Sequence, residues 1–341
     1  MLQLKNYTPF PASMAVFADR DGVECAYAAV KATFELNSTG IVPSAQQTPL
    51  IATDVYWGEP DKTSLRAAAE LTLPKPATDV LLLGHAVAPR ENTRVAEVSL
   101  TVAGLTKTLR LFGDRRWQKT DFGWEATSPE VWQQMPLRWE LAFGGIAPVV
   151  DGNRPEFEPR NPVGKGFCGR DERYWDCLPL PNIEDPAELI RHPSDRPSPA
   201  GCAPIAPSWL PRREYAGSYD EVWQTRRAPY LPLDFDERFF QVAPMGLVAP
   251  GYLSGGEVVE LAGCSLGGPL RFTLPACTWL MLFDFDGQQL RETPKLETVS
   301  IEPNSGRVQM LWRAGIRVDK QLLKLREVQV HCREFPPRTA A

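Results

Sequence analysis

At 341 residues, 43% hydrophobic and 23% charged, the chain can bury a sizeable core in one large or two intimate domains. Its net charge of −5 carries no basic block, which argues against a nucleic-acid footprint, and no run approaches the length of a membrane span. Proline is abundant, 33 residues against 25 glycines, and its crowding between Pro136 and Pro250 excludes long helices there, because proline removes a backbone donor and clashes with the preceding turn.

The first third reads as strands. Val30, Ala32, Phe34 and Leu36 alternate with Lys31, Thr33 and Glu35, and Asp79 to Gly84 is a short apolar run of buried-strand type. Val98, Leu100 and Val102, then Leu109 and Leu111, alternate with polar residues on either side of an Ala103–Lys107 hairpin connection. Short helices are expected at Ser64–Leu71 and Pro129–Gln134, each capped by a serine.

The middle third centres on Met135–Pro186. Leu137, Trp139, Leu141 and Phe143 alternate with Arg138 and Glu140, which predicts a strand feeding a long loop. The loop carries Asn161-Pro-Val-Gly-Lys165-Gly-Phe167 and closes on Leu178–Pro186. Its aromatics, Phe157, Phe167, Tyr174 and Trp175, predict order, since disordered segments are poor in them. One- or two-turn helices are expected after Asp185, at Asp220–Arg226 and at Asp234–Gln241.

The last third returns to strands at Leu270–Leu274, Thr278–Phe285, Val299–Glu302, Val308–Arg313 and Leu325–Val330, with a hairpin at Pro303–Gly306. The expected fold is mainly β with few short helices: an antiparallel sandwich or packed sheets joined by a long Pro/Gly-rich ordered middle section. Residues 1–335 read as one unit, divisible into an N-terminal β part (1–134), a Pro-rich central part (135–250) and a C-terminal β part (251–335). Residues 336–341 read as a frayed tail.

Seven cysteines without a Cys-x-x-Cys pair, and no apolar leader in the first residues, point to free thiols in the cytoplasm. The three histidines lack metal-ligand spacing, so no metal or cofactor is expected. Gly164-Lys-Gly-Phe-Cys-Gly169 matches a dinucleotide fingerprint but lacks the flanking strand and helix, and turn glycines account for it better. Gly263-Cys-Ser265-Leu-Gly267 matches a nucleophile elbow, with Asp284, Asp286 and His331 downstream in hydrolase order. The elbow requires a helix after the serine, whereas Gly268-Pro269 and a strand follow. Asp284-Phe-Asp286-Gly287 reads as a hairpin end rather than a calcium loop.

Arginine and tryptophan are interface chemistry. Phe112-Gly-Asp-Arg115-Arg-Trp117 reads either as a local ion pair with arginine on indole or as an interaction patch. A second cluster is Trp209, Arg212, Arg213, Tyr215, Tyr219 and Trp223. Most of the ten tryptophans are expected in the core; an exposed row of them would instead suggest a carbohydrate-binding sandwich.

Together, Lys31-Ala-Thr-Phe34, Lys75–Ala86, Phe112–Trp117, Met135–Glu140, Ala142–Gly145, Asn161–Phe167, Leu180–Glu184, Tyr219–Trp223, Leu231–Phe240 and Leu311-Trp-Arg313 resemble a bacterial family known as a domain of unknown function encoded beside type VI secretion genes. The resemblance runs along nearly the whole chain, with Leu141 standing where the family pattern has arginine and Cys202 where it has an aromatic residue. It implies an accessory protein, not an enzyme. Such an adaptor or chaperone would bind a toxic effector and load it onto the VgrG/PAAR spike, with no nucleic acid and no membrane as partner. The residues expected to bind the partner are Arg138, Glu140, Asn161, Lys165 and Phe167 of the central loop, with Arg115 and Trp117. The competing structural reading pairs Arg138 with Glu140. The alternatives are a serine hydrolase using Ser265 and the carbohydrate-binding module.

Overall fold

The computed structural model describes residues 2–37, 40–148 and 155–334; the expected tail at 336–341 lies outside them. The longest strand, Glu24–Asn37, starts a six-stranded sheet. On one side it pairs with Ala12–Ala18 and Gly40–Pro43, on the other with Arg307–Arg317. Lys295–Glu302 follows, and then Asp79–Leu82, which runs parallel to it. This central sheet therefore draws strands from both ends of the chain.

The period-two pattern gives the central sheet one apolar face. Val30, Ala32 and Phe34 stand opposite Trp312, Met310 and Val308 and are buried. A five-stranded antiparallel sheet containing Val95–Val102 and Leu105–Phe112 contributes Leu100, Val102, Leu109 and Leu111 to the same core. A four-stranded sheet built on Thr278–Phe285 and Leu325–Glu334 adds Met281, Phe283, Val328 and Val330. Trp279 and Trp312 bring the last sheet onto the first, their ring centroids 5.0 Å apart. Burial of each such large side chain contributes about 1.5–3 kcal/mol. The β-rich fold of packed sheets is as expected. The long strands and the hairpins at Ala103-Gly104, Asp286-Gly287 and Pro303–Gly306 fall where the pattern places them.

Three expected elements differ. Ser64–Leu71 is not a helix: Leu65–Ala67 is a strand paired with Val55–Tyr56. Pro129–Gln134 forms no helix, because neighbouring loop carbonyls take its donors; the Trp132 N–H reaches the Thr93 carbonyl and its indole N–H the Arg94 carbonyl. Leu137–Phe143 is not a strand either. The Leu137 N–H bonds to the Gly84 carbonyl, and Trp139–Leu141 then forms a 3-10 turn. The alternation survives as burial only from Leu137 to Glu140, where Trp139 turns inward to give its indole N–H to the carbonyls of Ala203 (3.1 Å) and Pro204 (3.0 Å); beyond it Ala142, not Leu141, is buried.

The short-helix expectations fare unevenly. Asp220 caps Glu221–Arg226 and Asp236 caps a 3-10 turn at Glu237–Phe240, each accepting a backbone N–H two or three residues on. Asp185 caps a single turn, with no helix behind it. Among the described residues no helix is long and apolar enough to cross a membrane.

Candidate functional site

The second face of the central sheet carries charge, yet it is covered. Residues 44–70 cross it as a strap. The pairing on one side of Glu24–Asn37 breaks between Val30 and Phe34. Gln47 fills the break: its side-chain amide bonds the N–H and the carbonyl of Thr33, both at 2.8 Å, as a strand neighbour would. Under the strap, Lys31 is 2% exposed. Its ammonium bonds Glu70 at 2.8 Å and the Pro49 carbonyl at 3.3 Å. The other oxygen of Glu70 accepts the Ile51 N–H at 2.7 Å, so one ion pair ties both limbs of the strap to the sheet.

Two more buried pairs continue this network. Lys75 reaches Asp79 at 2.7 Å and the Thr298 hydroxyl at 2.8 Å. Arg313 lies 3.1 Å from Glu297 and donates to the carbonyls of Glu70 (2.7 Å) and Leu73 (2.9 Å). Burial pushes the Glu297 carboxyl up, against the opposing pull of Arg313 and Lys75. Charged pairs this dry bring little net stability, and they penalise any register that would leave one of them alone.

Between strap and sheet lies a cleft of about 460 Å³. Ala67, Ala68 and Ala69 keep it open on the strap side; Leu81, Ser300 and Leu311 line the sheet side. At its rim Trp57 is partly exposed and carries two guanidiniums, Arg138 at 3.6 Å and Arg66 at 5.1 Å from the ring centroid. Glu140 accepts both the N–H and the hydroxyl of Ser64. Arg138 and Glu140 therefore do not pair with each other; each holds the Val55–Ala67 hairpin.

The other expected partner-binding residues do not converge with them. Asn161 is fully buried, and its amide donates to the carbonyls of Trp139 (2.8 Å) and Phe143 (3.0 Å). Arg115 is buried against Glu184 and the Pro181 carbonyl and stacks on Phe112, not on Trp117. Trp117 is 1% exposed, in a small satellite core with Cys168, Trp175 and Leu180. These three are corrected from surface anchors to supports of the loop: loop backbone has polar groups that water cannot reach, and their side chains satisfy or cover them. Lys165 and Phe167 are half-buried elsewhere. Lys165 sits 3.6 Å from Asp114, and burial lowers its pKa more than Asp114 raises it. Phe167 lies under Arg196, 4.7 Å from its ring centroid.

The Ser265 pattern links two strands, Val258–Ala262 and Leu270–Thr273, and the serine hydroxyl accepts the Gly267 N–H at 3.1 Å. His331 belongs to a different sheet, bonded to Gln329 and stacked on Tyr7. No elbow forms. Seven of the ten tryptophans are buried, which removes the exposed indole row of a sugar-binding face.

Of the second arginine–aromatic cluster, Trp209 and Arg212 are interior. Beyond them in the chain Tyr219, Val222, Tyr230 and Leu233 are exposed, and Tyr219 packs edge-on against Trp223. This segment is rigidly framed. The Trp223 indole donates to the Tyr230 carbonyl at 2.8 Å, Asp234 accepts both the N–H and the hydroxyl of Ser218, and Arg20 reaches the Leu233 carbonyl at 3.2 Å.

The charged network escaped sequence reading because Lys31 occupies the polar slot of an alternating strand, the usual sign of a solvated face. A weak signal existed: Lys31, Lys75 and Arg313 all fall inside stretches that carry the family resemblance. No curated protein and no solved structure matches the chain. Residues 21–313 match a family described as "Uncharacterized protein conserved in bacteria (DUF2169)", and with most of its length inside that match the chain belongs to this family.

Proposed function

We propose that the chain is a cytoplasmic adaptor of a type VI secretion system, which holds a toxic effector and helps load it on the VgrG/PAAR spike. The observation that carries the binding reading is the exposure of Tyr219, Val222, Tyr230 and Leu233 within one hydrogen-bonded segment, 218–234. Exposed aromatic and aliphatic side chains on a rigid support, with Arg20 and Arg227 beside them, are the composition of a protein-docking surface. The assignment to secretion rests on the resemblance of the sequence motifs.

The test is affinity purification of the tagged full chain from cells expressing the neighbouring genes, followed by mass spectrometry. An effector or spike protein should co-elute with the wild type and be lost with Leu233→Asp. Absence of any such partner above the untagged control, or steady turnover of a small substrate by the pure chain, overturns the reading.

A further inference from the structure

The cleft under the strap has walls of three chemistries. Its rim is cationic: Arg66 and Arg138 share the Trp57 ring, and neither meets a carboxylate within ion-pair distance among the described residues. Glu140, two residues from Arg138, is committed to Ser64 through both oxygens. The buried cations of the lining, Lys31 and Lys75, already have their carboxylates. Neither guanidinium is neutralised, and an anion placed against either gains a charge-assisted hydrogen bond.

The interior is hydrocarbon, from Ile51, Ala67, Ala68, Leu81 and Leu311. Along the strands 298–309 the wall is polar. The Ser300 hydroxyl and the His85 ring make no hydrogen bond among the described residues, and Glu302 is oriented by the Gln309 amide at 2.9 Å and the Ser305 hydroxyl at 3.1 Å. A free inorganic anion would use only the rim. A fatty acid would use rim and interior, leaving the polar wall without partners, which costs binding energy. A peptide supplies all three: a carboxylate, an apolar side chain and backbone amides.

We propose that this cleft binds an extended segment of a partner polypeptide in which an acidic side chain stands next to an apolar one. The carboxylate meets the guanidiniums at Trp57, the apolar side chain fills the space beside the alanines, and backbone groups pair with Ser300 and His85. This rests on the reading of the chain as a polypeptide-binding adaptor, and it adds the chemistry of the segment bound.

A random heptapeptide library, displayed with blocked ends, is selected on the full chain, and enriched peptides are measured by calorimetry. Asp or Glu beside Leu, Ile, Met or Phe should be enriched. Affinity should fall about tenfold in Arg66→Gln/Arg138→Gln, about as much when the acid becomes its amide, and further with salt. Ala68→Trp, which fills the cleft and leaves both arginines in place, should abolish binding with an unchanged melting temperature.

Enrichment without acidic residues, unchanged affinity in the arginine variant, or binding of dodecanoate with no peptide enriched would each overturn the proposal. Co-purification separates it from the adaptor reading. A partner retained by the double arginine variant removes the cleft and leaves the adaptor. A wild type that recovers no partner removes the adaptor, while the peptide selection still decides the cleft.

Discussion

Glu140 accepts two hydrogen bonds from one residue, Ser64, through its backbone N–H and its hydroxyl, each at 2.8 Å. The two residues are 76 positions apart in the chain. This carboxylate is the tie between the central loop and the strap that roofs the cleft. Glu140→Ala should therefore cost about 1–3 kcal/mol, since it leaves the Ser64 donors without a partner. Ser64→Ala, which keeps one bond, should cost about 0.5–1.5 kcal/mol. Hydrogen exchange would locate the effect: backbone amides of 55–67 should exchange faster in Glu140→Ala, with the central strands unchanged.

Lys31 is the interior cation of the strap. Lys31→Met should destabilise the chain by about 3–5 kcal/mol, because Glu70 is left charged and largely shielded from water. Adding Glu70→Gln should recover part of the loss, and urea unfolding of the two variants measures the coupling. Equal stability of Lys31→Met and wild type would show that the pair is not dry in solution.

Arg115 and Trp117 are expected to matter for folding. Arg115→Ala breaks a buried pair with Glu184 and removes a cation from the Phe112 face, 3.7 Å from its centroid. Trp117→Ala empties the satellite core. Each should cost about 3–5 kcal/mol. A well-folded Arg115→Ala with a normal melting curve and weakened partner binding would restore the surface reading for that residue.

The loop behind Asn161 leaves no room for a side chain at Gly144. Its φ is +150°, and an added Cβ would lie 2.1 Å from the Asn161 carbonyl oxygen. Gly144→Ala should lower stability by about 1–3 kcal/mol or more, through backbone displacement. Gly251 meets nothing within 4 Å of an added Cβ, so Gly251→Ala is the control and should stay within about 0.5 kcal/mol of wild type.

Glu158 gives the chain an acid-sensitive contact. Burial by itself would raise this carboxyl, but hydrogen bonds from the Arg160 guanidinium and N–H outweigh burial and hold it below its usual 4.5. The folded pKa is thus lower than the unfolded one. The stabilisation is present above the unfolded value and lost as pH falls through the folded value. Melting temperatures of wild type and Glu158→Gln should differ at pH 7 and converge as pH falls through the folded value. A gap that does not narrow as acid is added would assign the effect to packing.

The sequence by itself determined the long strands, several of the tight turns and the apolar core face, because these follow from local periodicity and from residues such as Gly104, Gly287 and Gly306 in left-handed turns. The cap at Asp220 was legible for the same reason, its donor lying three residues away, whereas the second helix candidate, read from Asp234, is capped by Asp236. It did not decide which charges go inside. Lys31 and Glu35 look alike in an alternating strand, and only the strap, laid across the sheet and tied to Glu140, makes Lys31 an interior residue. Leu137–Phe143 failed similarly: the 3-10 turn at Trp139–Leu141 buries Ala142 in place of Leu141, and no local pattern marks that turn. Lys75 meets Glu297 and Thr298 across more than 200 positions of chain. Contacts of that separation leave no periodic trace, so the charged network and the cleft above it exist only in the tertiary structure.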